Sequence, residues 1–132
     1  MSEVNPSAYP PIHADPKSVI KTVQVAQKPS LGRLVHYRLS AADAEKVNRR
    51  RTDGESIRSR LQASTWPPGA QAHIGNSVIA GDVVPMMIVR VMDFWPQSVI
   101  NGQAFLDGND VLWVTSVREG DRPGEWCWPP RT

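Results

Sequence analysis

The run Gly81-Asp82-Val83-Val84-Pro85-Met86-Met87-Ile88-Val89-Arg90-Val91-Met92 is the only long stretch of this chain with a clear β signature. At a period of two residues, Met87, Val89 and Val91 share one face, and Met86, Ile88, Arg90 and Met92 share the other. Such a run is expected to be the central strand of a small sheet, with its methionines in the core. Gly81-Asp82 is a turn signal in front of it. Pro85 has no N–H to give to a ladder, so regular pairing is expected to begin at Met86.

A chain of 132 residues supports one core and is too short for two ordinary domains. Twelve prolines and nine glycines point to many turns and little helix, hence a mainly β fold. Charge is unevenly spread. Residues 33–60 carry eight basic and four acidic side chains, whereas residues 82–132 carry four basic and seven acidic ones. This bipolar pattern suits a small anionic ligand or an acidic partner surface better than a polynucleotide, so nucleic acid is not the expected partner. The single cysteine, Cys127, forms no intrachain disulfide and builds no zinc site from cysteine pairs, which agrees with a cytoplasmic setting. No apolar run approaches the roughly 18 residues of a membrane span, and the first residues lack the order of a secretory signal.

Residues 1–18 contain Pro6, Pro10, Pro11 and Pro16 among small polar residues and are expected to form a disordered tail, leaving residues 19–132 as a single small domain. The segment Val19-Ile20-Lys21-Thr22-Val23-Gln24-Val25 has strand composition, suited to pairing with a sheet edge or a neighbouring subunit. Arg33 to Leu39 is the first firm strand. Val35, Tyr37 and Leu39 lie on one side of it, and Leu34, His36 and Arg38 on the other, so that His36 and Arg38 project together either into a ligand site or from a half-exposed face.

Ser40 is a good N-cap for a helix that carries acids in its first turn and Arg49, Arg50 and Arg51 in its last. Thr52 and Glu55, three apart, repeat the capping pattern, and two short helices joined at Thr52 are expected. Ser98 to Asp107 is expected to be a strand with a bulge at Asn101-Gly102. The turn Asp107-Gly108-Asn109-Asp110 leads into Val111 to Val117, completing a meander in which Trp113 is expected to be a core residue. Trp126 and Trp128 fall on the same side of the closing extended segment, placed to lie across an open barrel end.

Four segments, Gly32-Arg33-Leu34-Val35-His36-Tyr37, Pro85-Met86-Met87-Ile88-Val89-Arg90-Val91, Val99-Ile100-Asn101-Gly102-Gln103-Ala104-Phe105 and Pro123-Gly124-Glu125-Trp126-Cys127-Trp128-Pro129, together resemble a widespread group of small bacteriophage and prophage proteins. In many of these a GR-V-HY strand leads to a P-x-I-V strand, and the chain closes on Pro-Gly-x-Trp-x-Trp-Pro. The resemblance covers residues 32–129, with Cys127 standing where histidine is the pattern. It implies a small SH3-like β-barrel of phage origin, acting in the bacterial host cytoplasm, with a helical insertion at about 40–64. It implies no established chemistry.

No Ser/His/acid or Cys/His arrangement, phosphate loop or metal-ligand cluster can be drawn from the sequence, so no enzyme, cofactor or metal is expected. A binding module is the favoured class. Arg49, Arg50 and Arg51 directly before a helix start at Thr52 would offer a phosphate both charge and free N–H groups. His36, Arg38, Trp126 and Trp128 complete the candidate ligand-binding set, the tryptophans as stacking platforms. The phage context then suggests a homo-oligomeric sponge that sequesters a nucleotide signal of host antiviral defence. Two alternatives stand beside it: a virion structural or assembly protein, and a nucleic-acid-binding module. The arginines themselves admit two further accounts, a solvated face or pairing with the acidic half that holds the helical insertion in place.

Overall fold

The computed structural model describes residues 27–62, 71–92 and 99–131, and the side chains of residues 61 and 62 fall outside that description. Within it lie strand β1 (Leu34–Arg38), helix α1 (Ala41–Gln62), and strands β2 (Val83–Val91), β3 (Ile100–Phe105), β4 (Val111–Val117) and β5 (Trp126–Cys127). The expected tail over residues 1–18 and the strand at 19–25 lie outside the described residues.

The sheet runs β4-β3-β2-β1-β5, with every neighbouring pair antiparallel. The mainly β fold is as expected, and β2 is indeed the middle strand. The sheet is open, with β4 and β5 as its edges, so it does not form a closed barrel. The residues after β4 reach back to β5 all the same: Trp126 N–H donates to Arg118 O at 3.0 Å, and Gly120 N–H donates to Trp126 O at 2.8 Å.

Alternation along the strands explains which face is buried. Val35 and Tyr37 on β1, Val84, Met86 and Ile88 on β2, Ile100 and Ala104 on β3, and Leu112, Val114 and Val117 on β4 all point into one core, joined by Leu39, Leu106, Val78 and Trp126. Ala44 and Val47 are the contribution of α1. Trp113 lies between two inward residues and is therefore on the opposite face, 62% exposed; it is not a core residue. Pairing of β2 also starts earlier than Met86, because Val83 already faces Arg38 of β1. Ile88 N–H donates to Arg33 O, so up to Ile88 the even-numbered positions of β2 bond towards β1 and the odd-numbered ones towards β3. The missing N–H of Pro85 falls on the β3 side, where pairing begins only at Met86 opposite Ala104, and no ladder bond is lost.

A register shift does fall at Asn101-Gly102, but the extra residues are on the neighbouring strands rather than on β3: β4 takes three steps from Val117 to Val114 where β3 takes two, and β2 takes two steps from Ile88 to Arg90 where β3 takes one. A Cβ on Gly102 would stand 2.5 Å from Met86 Sδ, so the core methionine occupies the space that a side chain would need. Within the β4 bulge Ser116 adopts a positive φ of 55°, and its N–H donates to Asn101 Oδ1 at 2.8 Å.

Helix α1 opens as expected. Asp43 N–H donates to Ser40 Oγ, and Ser40 N–H donates to Asp43 Oδ2, a reciprocal cap with aspartate as its acidic member. The Tyr37 hydroxyl donates to the same carboxylate oxygen and ties the cap to β1. Burial first, and then the Asp43 carboxylate, push the Tyr37 phenol above its ordinary pKa, so it remains a donor. Beyond the cap the expectation fails, because α1 is one helix of 22 residues and none starts at Thr52. The Thr52 hydroxyl donates instead to Asn48 O, one turn back within the same helix. Gly54 is buried where α1 passes His73, with its would-be Cβ 3.0 Å from that carbonyl oxygen, which explains glycine inside a helix.

Candidate functional site

The expected ligand-binding residues fall into two separate places. Arg49, Arg50, Arg51 and Thr52 lie midway along α1, against residues 73–76 and the turn between β3 and β4. His36, Arg38, Trp126 and Trp128 lie around β1 and β5, near the start of α1. Eleven residues of helix, about 16 Å at 1.5 Å per residue, separate Ser40 from Arg51.

Two of the three arginines in this run, Arg50 and Arg51, are committed to the fold. Arg51 Nη2 and Nη1 grip both oxygens of Asp110 at 3.1 and 3.2 Å, while its Nε and Nη1 donate to the carbonyls of Asn76 and His73. Arg50 Nη1 donates to Asp110 Oδ2 at 2.9 Å and to Val111 O. The side chain of Asp110 is 2% exposed and that of Arg51 9%. Burial alone would raise the Asp110 carboxyl, but the hydrogen bonds and charges of Arg51 and Arg50 outweigh it and hold the group below its ordinary value. Of the three accounts of this basic run, the geometry matches pairing with the acidic half. Arg49 alone points outward, with Glu45 one turn away at 3.7 Å. Thr52 sits mid-helix and offers no free N–H groups.

A ring of amides surrounds this cluster. The Asn48 side chain exchanges two hydrogen bonds with the backbone of Val78, both 2.8 Å, and the Asn109 side chain does the same with Ile74 N–H and Ala72 O. Gly75 and Gly108 meet backbone to backbone, where a Cβ on Gly75 would collide with Asp107 O. A shallow cleft of about 540 Å³ opens beside it, lined by His73, Phe105, Leu106, Asn109 and Val111 among others. The Asn109 amide and Asp110 carboxylate on its wall are already used internally, so the cleft offers a ligand chiefly apolar edges and the His73 imidazole.

At the other place, Trp126 is wholly buried in the core and has no face left for a base. Trp128 meets it edge to face at 5.3 Å, and the Arg33 guanidinium stacks 4.9 Å above the Trp128 ring. The indole N–H of Trp128 is buried without an acceptor among the described residues. His36 lies opposite Cys127 across the β1–β5 pair, and Arg38 Nη1 donates to Gly81 O. Burial pushes the Cys127 thiol up, with Arg38 opposing and Asp121 and Glu119 reinforcing, which makes it a poor nucleophile beside His36. Among the described residues no three or more His, Cys, Asp or Glu side chains gather to hold a metal, and no helix is long and apolar enough to cross a membrane.

Sequence reasoning missed the outward face of the sheet. Leu34, Met87, Gln103 and Trp113 stand directly opposite one another across β1, β2, β3 and β4, and all but Gln103 are exposed. In the adjoining row, His36 faces Pro85, Phe105 faces Val111, and the Met86–Ala104 register sets Pro85 beside Phe105. Val83 and Val89 extend the patch along β2. Scaled from the exposed fractions of its side chains, the patch amounts to roughly 600 Å², at the upper end of what single patches reach on monomers and approaching the roughly 800 Å² that each side of a standard interface buries. Comparison with protein-family models, with curated proteins and with solved structures returns no match.

Proposed function

We propose that this chain is a small non-enzymatic assembly protein that works by packing copies of itself through the outward face of its sheet. The observation that carries this reading is the continuous apolar row Leu34, Met87 and Trp113, interrupted only by Gln103, on a face that nothing in the described chain covers. In the phage setting that the sequence resemblance suggests, such a module would serve as a virion or assembly component in the host cytoplasm. Its curled five-stranded sheet would be an opened relative of an SH3-like barrel. Nucleotide sequestration is the weaker reading, because the groups that would grip a phosphate, Arg50 and Arg51, are held by Asp110.

Light scattering over a concentration series tests the proposal. The wild-type chain is expected to associate with rising concentration, and Trp113→Asp to remain monomeric. Trp113→Ala is expected to change monomer stability by no more than about 1 kcal/mol, as suits an exposed strand position. A wild-type chain that stays monomeric at roughly 0.1 mM, or association that Trp113→Asp leaves intact, would sink it.

A further inference from the structure

We infer that two copies meet face to face through this sheet surface with their strands antiparallel, β2 lying over β2 of the second copy, as a closed two-fold dimer. The inference rests on the assembly reading above and adds its symmetry and register. The area of the patch is near that of one side of a standard interface, so a single second copy of the same face suffices to cover it. An isologous contact of this kind closes at two and leaves no open patch for further growth.

Charge at the two ends of the face selects the direction. At the end formed by the start of β1 and the end of β2 stands Arg90, exposed, and Arg118 follows β4 on the same side with Glu119 next to it; Arg33, stacked on Trp128, belongs to the other side of β1. At the other end stand Asp82 and Asp107, whose carboxylates accept from Ile79 N–H and the Asn76 amide and keep their charge, beside Arg38, whose guanidinium donates to Gly81 O. A two-fold axis along the strands would set the arginine end of one copy against the arginine end of the other. An axis in the interface and across the strands instead lays each arginine end over the partner's Asp82 and Asp107 end. Sheets packed face to face stand about 10 Å apart with strands roughly aligned, so the second arrangement also keeps Met87 and Trp113 within reach of the opposing rows.

The arrangement sets a distance pattern that cross-linking can read. With β2 antiparallel over β2, Val83 of one copy lies above Val89 of the other. Six residue steps separate the two positions and keep Val83 about 20 Å along the strand from its own equivalent, and likewise Val89. Val83→Cys and Val89→Cys are made singly in a Cys127→Ser background and treated with a bismaleimide whose reach matches the ~10 Å sheet spacing. A mixture of the two is expected to give a cross-linked dimer, whereas each variant alone gives monomer. Arg90→Glu is expected to weaken dimerisation at least several-fold, and high salt to weaken it in the wild type. Cross-linking of Val89→Cys with itself would place like ends together and overturn the antiparallel arrangement while leaving the assembly reading standing. Particles larger than dimers that still require Trp113 would overturn closure in the same way. A monomeric wild type would end both readings.

Discussion

Asp110→Ala is expected to cost about 3–5 kcal/mol of stability, the range found when one partner is taken from a buried charge pair. The loss comes from what stays behind. The Arg51 guanidinium would remain 9% exposed between the carbonyls of His73 and Asn76 with no counter-charge, and Arg50 would keep only Val111 O. Three separate pieces of chain meet at this carboxylate: α1, the segment around residues 73–76, and the β3–β4 turn. Their docking should therefore loosen together. Chemical denaturation of Asp110→Ala measures the effect, with Arg49→Ala as an exposed control expected to stay within about 0.5 kcal/mol. A cost below about 1 kcal/mol for Asp110→Ala would mean that the cluster is peripheral to stability.

The same carboxylate sets an acid limit. Its folded-state pKa lies below the unfolded value of about 3.9, so the stability it contributes is fully present above that value and is lost as pH falls through the folded pKa. The stability gap between wild type and Asp110→Asn should be flat from neutral pH down to about 4 and should close below it. A gap that already narrows between pH 7 and 5 would point to a different titrating group.

Local pattern reached as far as local causes reach. The alternation of Val35, Tyr37 and Leu39 gave the buried face of β1 because a period of two is a property of the strand itself. The cap at Ser40 was legible because donor and acceptor lie three residues apart. The split of α1 at Thr52 was a false signal of the same local kind. A Thr-x-x-Glu pattern marks a helix start only if the preceding residues are not helical, and here Thr52 bonds back to Asn48 while Gly54 is dictated by the approach of His73. The role of Arg50 and Arg51 was not fixed by the sequence, since their partner Asp110 is about sixty residues away and becomes a neighbour only when the meander forms. Trp113 shows the remaining ambiguity. Alternation says that it opposes Leu112 and Val114, but only the register of β4 on β3 says which side faces the core, and size alone pointed the wrong way.

Trp126→Ala is expected to destabilise the protein by about 3–5 kcal/mol, the usual range for removing a buried tryptophan from a core that collapses only in part. Trp126 heads the fully buried side chains in volume and sits opposite Tyr37 of β1. Its main chain receives Gly120 N–H and gives its own N–H to Arg118 O, so this one residue links β1 to the chain beyond β4. Truncation also removes the edge-to-face partner of Trp128 and with it part of the platform on which Arg33 stacks. Trp126→Phe keeps an aromatic in the site and should recover part of the loss. Trp128→Ala acts on a half-buried ring and should cost less than Trp126→Ala. Thermal or denaturant unfolding of the three variants orders them. If Trp126→Ala left stability within about 1 kcal/mol of wild type, its ring would not be a core element and would be free to stack on a ligand.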